Sequence, residues 1–384
     1  MSEKIEKNIL VIVRLFDGHI PGAVGLVKDL ISLGHNVSCY VLDKFEDRLK
    51  QTGAKIKAFT VDKIELNPNW PEKAYIGALF SKFYDLILTE AQKSQEKYDY
   101  LICDSFFDGN EISKIFKIPK YISLYIFPVG KMTSLGSNTL VQRVSYFFIP
   151  INKKFNLNIR DFLAMHYKGD AKYKLMLTSK LFHIETNALD DSFYFIGPYI
   201  EERPTDNKFN FKKDEYKKLI YISLGTIFNK NIDFYKKCIE IFGNSKQFQV
   251  IISIGKSINV KDLGDLPENI SAFNFVPQHQ VLKQSDIFIT HGGINSINEA
   301  FLLNNLPLIV IPQEMDQNDN AKQIENFGAG IALDKNNITA EIINNSILKI
   351  LDNEEKYKNG VKKIAQSFKE ASAERKKILE KIII

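Results

Sequence analysis

The chain has 384 residues, 45% of them hydrophobic and 25% charged, and its formal net charge is +5 at pH 7. This length predicts two domains, because single hydrophobic cores seldom grow so large, and the composition excludes disordered, collagen-like and disulfide-scaffold proteins. Because the basic residues form no dense block, we expect no nucleic-acid partner.

The cysteines and the apolar runs of the sequence indicate the cellular compartment in which the protein is expected. Cys39, Cys103 and Cys238 are far apart in the sequence and match neither a CxxC metal pair nor a disulfide framework. The apolar run near the N-terminus is short and includes Arg14, and no signal-peptide cleavage site follows it. No apolar stretch reaches the ~20 residues that span a bilayer. We therefore expect a cytoplasmic protein without integral membrane contact.

The first half of the chain alternates continuous apolar runs with segments of helical period. The apolar runs predict buried strands at residues 9–13, 37–42, 100–103 and 121–126. The periodic segments predict helices at residues 21–33 and near 111–116. This strand, helix, strand order indicates right-handed βαβ units in a parallel sheet.

A polar stretch separates the two halves, and we place the linker at residues 201–218. A second alternating series follows, with predicted strands at residues 219–223, 249–254, 287–290 and 308–311. We therefore expect an α/β domain at 1–200, another at 219–360 and a C-terminal helical segment at 361–384. In open α/β sheets ligands bind beyond the carboxyl ends of the strands, so motifs at those ends matter most.

The strongest motif covers residues 289–330 and begins where a predicted strand ends. Gly292 and Gly293 let the backbone approach a ligand, and a helix starting near Ser296 offers free N–H groups that suit a diphosphate. His291 is a candidate for a further donor. The motif therefore favours an anion-binding site.

The same motif has a structural alternative. Ser296 and Glu299 have the spacing of a capping box, and Asp316 is placed to cap a helix at residues 317–327. Helix capping requires neither His-Gly-Gly before the first helix nor Asp-Gln before the second. The combination therefore favours a ligand site over two caps.

This segment resembles the signature of family 1 UDP-glycosyltransferases, and the neighbouring stretches resemble the bacterial macrolide-glycosyltransferase branch. Supporting motifs are YISLGT at 221–226, FVPQHQVL at 275–282 and IGPY at 196–199. The resemblance covers the whole second half and is thinner in the first. It implies the GT-B fold, in which two doubly wound Rossmann-like α/β domains face a cleft and the C-terminal segment packs back on the first domain.

The resemblance also implies a nucleotide-sugar site in the second domain. The diphosphate would be held by the end of the first strand and by the glycine-containing motif, at Ser223, Thr226, His291, Gly293, Asn295 and Ser296. Glu299 would accept hydrogen bonds from the ribose hydroxyls, and Asp316 and Gln317 would hold hydroxyls of the sugar.

The base would lie against Phe275 and Val276, near Gln278. Many plant relatives have Trp where this chain has Phe275. The smaller ring still stacks, so both uracil and thymine stay open as the base.

In the first half, His19 follows the first predicted strand in the sequence DGHIP. An imidazole with a pKa near ~6.5 is suited to accept the proton of an attacking hydroxyl group. The alternative is a histidine that caps or packs in a loop. Relatives usually have Gly-His-hydrophobic-x-Pro, whereas here Pro21 comes one residue early.

A base of this kind needs a carboxylate that holds its tautomer. Asp104 follows a predicted strand, and in the resembled family an Asp at this place partners the catalytic His. The alternative is a turn residue at the strand end, and nearby Asp99 and Asp108 are expected to be solvated. His19 and Asp104 are thus the predicted catalytic residues.

We therefore expect an inverting UDP-glycosyltransferase that moves a hexose such as glucose to a hydroxyl of a small apolar acceptor, for example a macrolide, a flavonoid or another phenol. Candidates for the acceptor pocket are aromatic: Tyr125, Phe127, Tyr146, Phe147 and Phe148. No cofactor or metal is expected, since the sequence has no Asp-x-Asp triplet, and a monomer or homodimer is expected. Two alternatives stay open: a GT-B transferase with a lipid-linked or cell-envelope acceptor, and a nucleotide-sugar-binding protein without catalysis.

Overall fold

The computed structural model describes residues 5–13, 17–61, 72–105, 107–126, 171–183, 189–201, 206, 209, 211–225, 229–313 and 316–384. The chain divides into two compact units. The first contains residues 1–201 and 370–384, and the second contains residues 202–369. Each unit has its own parallel sheet, which confirms the expected α/β class.

The sheet of the first unit has these described strands: β1 Asn8–Ile12, β2 Asn36–Leu42, β3 Lys55–Phe59, β4 Tyr100–Asp104, β5 Lys120–Tyr125, β6 Tyr173–Met176 and β7 Phe193–Phe195. Their order across the sheet is β3-β2-β1-β4-β5-β6-β7. The helices described between them are α1 Ile20–Ser32, α2 Glu46–Lys50, α3 Glu72–Lys93 and α4 Gly109–Phe116.

The strand order of the first unit reverses between β1 and β4. These strands are neighbours, with Ile12 in register with Cys103, and both are buried along nearly their whole length. Because the connections leave β1 and β4 toward opposite edges of the sheet, a gap for ligands opens beyond their carboxyl ends.

The sheet of the second unit has these described strands: β8 Lys218–Ser223, β9 Phe248–Ser253, β10 Ile270–Phe273, β11 Ile287–Thr290, β12 Leu308–Val310 and β13 Gly330–Ala332. Their order is β10-β9-β8-β11-β12-β13. The helices are α5 Ile232–Phe242, α6 Gln278–Leu282, α7 Ile294–Asn304, α8 Gln317–Asn326, α9 Ala340–Asp352 and α10 Glu354–Ala373.

The core of the second unit lies between its sheet and the helices α5 and α9. Ile222 and Ile252 of the sheet pack in one cluster with Phe242 of α5 and Ile347 of α9, all of them fully buried. The strand order reverses between β8 and β11, where Ser223 is in register with Thr290. The second sheet thus repeats the reversal of the first.

The described part of the predicted linker packs on the second unit. Lys213 forms an ion pair with Asp286 at 2.7 Å, and the backbone N–H of Asp214 donates to Gln249 Oε1 at 2.8 Å. The described residues of this stretch therefore belong to the second unit.

The final helix, α11 Arg375–Ile382, belongs to the first unit. The Arg375 guanidinium donates to the backbone oxygens of Ile196 and Pro198, each at 2.7 Å, and lies 3.6 Å from the centroid of the Tyr199 ring. The division between the units falls within α10, so residues 361–369 of the predicted C-terminal segment belong to the second unit. No described helix is both long and apolar enough to cross a membrane.

Candidate active site

The carboxyl ends of β1 and β4 bring His19 and Asp104 together. His19 immediately precedes α1 and makes no capping hydrogen bond with its side chain. Its Nδ1 atom lies 2.7 Å from Oδ2 of Asp104, the last residue of β4. Pro21 stands in the first turn of α1, where a missing N–H costs no helical hydrogen bond. The early proline is thus accommodated by the helix start.

Burial makes this pair suited to proton transfer. Only 9% of His19 and 2% of Asp104 is exposed. A buried carboxylate beside Nδ1 favours the tautomer that carries its proton there, so Nε2 is the atom that can accept a proton from a substrate.

The two neighbouring carboxylates have backbone partners. Asp108 caps α4 by accepting from the N–H of Glu111 at 2.9 Å, and Asp99 accepts from the N–H of Asn8 at 2.8 Å. Both residues are partly exposed, and each also satisfies a backbone N–H at the start of an element. The partners in these two contacts are Asn8 and Glu111 and not His19.

In the second unit, Ser223 ends β8 and is 6% exposed. α7 begins at Ile294, earlier than the predicted start near Ser296, because Gly293 occupies the position before the helix. Ser296 lies inside α7 and not at its N-cap position, so the capping-box alternative is wrong. Asn295 and Ser296 lie half-buried in the first turn, where helical N–H groups have no partner within the helix.

The His291 ring is enclosed by two glycines. A Cβ atom on Gly225 would lie 2.8 Å from His291 Nε2, and one on Gly293 would lie 2.4 Å from it. Burial lowers the pKa of His291 to about 4, although a hydrogen bond with the Ser223 backbone acts in the opposite direction. At neutral pH the ring therefore has no charge, and it offers a diphosphate at most a neutral donor.

Glu299 is held by α6. Its Oε2 atom accepts from Gln278 Nε2 at 2.6 Å, and its Oε1 atom lies 3.1 Å from His279 Nε2. Gln278 in turn accepts from the Tyr221 hydroxyl at 3.2 Å. Gln278, expected near the base, thus contacts the expected ribose-binding carboxylate. Sequence reasoning assigned no role to His279, although this residue lies within the quoted motif FVPQHQVL.

Asp316 and Gln317 lie at the start of α8. Asp316 precedes the helix without a side-chain capping bond, so the capping alternative is wrong here too. Its Oδ2 atom accepts from Asn320 Nδ2 at 3.0 Å, while Gln317 Oε1 accepts from the N–H of Gln313 at 2.7 Å. Asn320 is a second residue that the sequence analysis missed.

The predicted base platform has one exposed and one buried residue. Phe275 is 69% exposed, whereas Val276 is 3% exposed. Thr226 lies outside the described residues, as do the pocket candidates Phe127, Tyr146, Phe147 and Phe148. The remaining candidate, Tyr125, packs against Phe193 in a small core cluster.

No group of three or more potential metal-ligating side chains occurs within the described ranges. The three cysteines are buried and unpaired. Burial raises the pKa of the Cys39 and Cys238 thiols, which disfavours the thiolate.

Comparison with known proteins identifies the chain's relatives. Residues 245–381 match the family model described as the C-terminal domain of erythromycin biosynthesis protein CIII-like proteins. The uncharacterized UDP-glucosyltransferase YojK of Bacillus subtilis (strain 168) is 28% identical over 96% of this chain and 95% of its own length. The NDP-glycosyltransferase YjiC of the same strain is 27% identical over 92% and 91%.

A solved structure shares the fold of the chain. The glycotransferase of kitacinnamycin superposes with a TM-score of 0.80 over 98% of both chains, at 20% identity. The resemblance found in the motifs is therefore confirmed, and so is the fold. The chain is thus similar to family 1 glycosyltransferases of the macrolide-glycosyltransferase type, and it has the GT-B fold.

Proposed function

We propose that this glycosyltransferase is a cytoplasmic, inverting enzyme that moves a hexose, with glucose as the first candidate, from a UDP-sugar to a hydroxyl group of a small apolar acceptor. The whole-length similarity to a UDP-glucosyltransferase supports the donor. The erythromycin-type family model supports a natural-product acceptor.

The observation that most directly supports catalysis is the buried His19–Asp104 pair at 2.7 Å. Nε2 of His19 removes the proton from the acceptor hydroxyl, and the oxygen attacks the anomeric carbon of the sugar in one displacement. Asp104 stabilises the imidazolium that forms. The bond from the anomeric carbon to the diphosphate breaks, and its electrons leave with UDP.

The second unit supports binding of the leaving group. Ser223 and the start of α7 converge at the β8–β11 reversal, where helical N–H groups favour an anion. Because the pKa of His291 is lowered to about 4, the imidazole acts there as a neutral group. Glu299 accepts from the ribose hydroxyls while Gln278 holds its other oxygen.

We also propose that turnover needs no metal or cofactor, because the helix start and hydroxyl side chains meet the diphosphate charge. The enzyme should keep its activity in EDTA. Loss of all turnover, with recovery on adding Mg²⁺ or Mn²⁺, would refute this part of the proposal.

An acceptor screen tests the function. Flavonoids, simple phenols, macrolides and sterols are incubated with UDP-glucose, and the products are examined for the mass of one added hexose and for an inverted anomeric configuration. The matched control is His19→Ala, which should bind UDP but form little product. UDP binding by the unaltered protein without UDP release, with any acceptor or water, would instead support a binding protein.

A further inference from the structure

We infer that Asn320 is a positioning residue that joins the two parts of the donor site, the loop proposed to bind the diphosphate and the carboxylate proposed to bind the sugar. This inference rests on the proposed function. No sequence motif assigned a role to Asn320, yet it is 0% exposed. The buried N–H groups of this amide need acceptors, because unpaired polar groups are costly to bury.

One nitrogen atom makes both connections. Asn320 Nδ2 donates to the Gly292 carbonyl at 2.9 Å and to Asp316 Oδ2 at 3.0 Å. Both partners are acceptors, so the amide orientation follows from chemistry: a flipped group would place three oxygen atoms together. The backbone N–H of Asn320 also donates to the Asp316 carbonyl at 2.9 Å. Asn320 therefore holds both the main chain and the side chain of Asp316.

The bond to Gly292 sets the direction of the next N–H group. The Gly292 carbonyl and the Gly293 N–H belong to one planar trans peptide, in which these two groups point to opposite sides. Fixing the carbonyl on Asn320 therefore directs the Gly293 N–H away from the buried amide. Gly293 immediately precedes α7, where the diphosphate is proposed to bind.

Gly292 depends on this anchor because of its conformation. Its φ is +83°, and a Cβ atom there would lie 2.5 Å from Val310 Cγ1. Glycine has access to many backbone conformations, so a bond to its carbonyl selects one of them. The same Asn320 amide donates to Oδ2 of Asp316 and so fixes the orientation of that carboxylate.

The test is a double-mutant cycle of Asn320→Ala and Asp316→Ala, read out as the dissociation constants of UDP and UDP-glucose by calorimetry without acceptor. The ratio of the two constants measures the contribution of the glucose. Asn320→Ala should weaken UDP binding about tenfold through Gly292, whereas Asp316→Ala should leave UDP binding nearly unchanged. Each variant should reduce the contribution of glucose, and the double variant should reduce it no further than Asp316→Ala.

The control is Asn326→Ala on the same helix, since Asn326 is exposed and contacts only Gln323 among its described partners, at 3.3 Å. It should change neither constant. If Asn320→Ala does not fold, Asn320→Ser provides a second test. Its hydroxyl group is a single donor, so it should restore either the UDP affinity or the contribution of glucose, but not both.

A general loss of stability would lower the amount of competent protein without changing the ratio of the two constants. Additive losses of the glucose contribution, or unchanged UDP affinity in folded Asn320→Ala, would overturn the role of Asn320 while leaving the proposed function intact. Failure of the unaltered protein to bind UDP or UDP-glucose would overturn both.

Discussion

Nδ1 of His19 and Oδ2 of Asp104 are 2.7 Å apart, although 85 residues separate them in the chain. Their strands, β1 and β4, are neighbours because the order of the sheet reverses between them. The pair thus occupies the place at which open α/β sheets bind ligands. Asp104 orients the ring, so changes at the two residues should affect proton transfer to different degrees.

Replacing His19 should abolish proton removal and spare donor binding. We expect His19→Ala to lose about 10²- to 10⁴-fold in turnover with aliphatic alcohols, because that is the usual contribution of a general base. Acidic phenols and thiols should lose less, since they ionise without help. Turnover and UDP affinity are measured in parallel. Near-normal turnover of an aliphatic alcohol, or an equal loss of UDP affinity, would exclude His19 as the base.

Asp104→Asn should give a milder form of the same defect, because the imidazole remains but its tautomer is no longer fixed by a carboxylate. The rate with an alcohol acceptor should fall while UDP affinity stays unchanged. The matched control is Asp108→Asn, in which the amide oxygen can still cap α4. Equal rate losses in both variants would indicate a structural effect, not orientation of His19.

Glu299→Ala should weaken UDP binding by about one to two decades, because a carboxylate that accepts from two ribose hydroxyls forms charge-assisted hydrogen bonds. Calorimetry with UDP measures the effect. Glu341→Ala, an exposed site in the first turn of α9, is the control. Unchanged UDP affinity in a folded Glu299→Ala protein would remove this residue from the site.

Gly293→Ala should lower the Tm of the protein through a collision with His291. Gly293 has φ −65° and ψ 139°, which alanine adopts readily, so the strain comes only from the 2.4 Å approach of its Cβ to Nε2. We expect a lower Tm for Gly293→Ala and a recovery of Tm when His291→Ala is added. The same recovery should not occur in Gly225→Ala, because φ +81° there strains any side chain. Additive Tm losses in Gly293→Ala/His291→Ala would contradict this account.

The free energy of unfolding should fall between about pH 6.5 and pH 4. Burial lowers the pKa of both His183 and His291 to about 4, whereas an unfolded histidine titrates near ~6.5. Within this window the unfolded chain binds more protons, so acid favours unfolding. Denaturant titrations at pH 7.5 and pH 5 measure the free energy of unfolding. The difference between the two values should be smaller for His183→Gln than for the unaltered protein. An identical difference would show that folding does not lower the pKa of His183.

The sequence predicted strands that are continuously apolar and missed others, most of which lie toward the sheet edges. β1, β4, β8 and β11 are runs of buried residues, which periodicity identifies. β3 alternates exposed and half-buried residues beside charged ones, and β13 has three residues. Such strands are defined by pairing with a neighbour and not by their own composition.

The site was predictable where residues follow a buried strand. His19, Asp104, Ser223 and His291 all stand at or beyond strand ends, where a pattern in the chain locates them. Asn320 was not predictable, because polar residues in a helix are common and its importance lies in contacts with Gly292 and Asp316, which sequence spacing does not reveal.

The first unit consists of two segments that are separate in the sequence, and this affects how the chain folds during its synthesis. Arg375 bonds the backbone of Ile196 across 179 residues, and the N–H of Ile384 donates to the Tyr100 hydroxyl across 284. On the ribosome, residues 1–201 emerge long before α11 exists, whereas the second unit is contiguous. Domains usually fold in the order in which they are made. Here residues 370–384 of the first unit are made after the whole second unit, so the first unit can complete its contacts only at the end of synthesis.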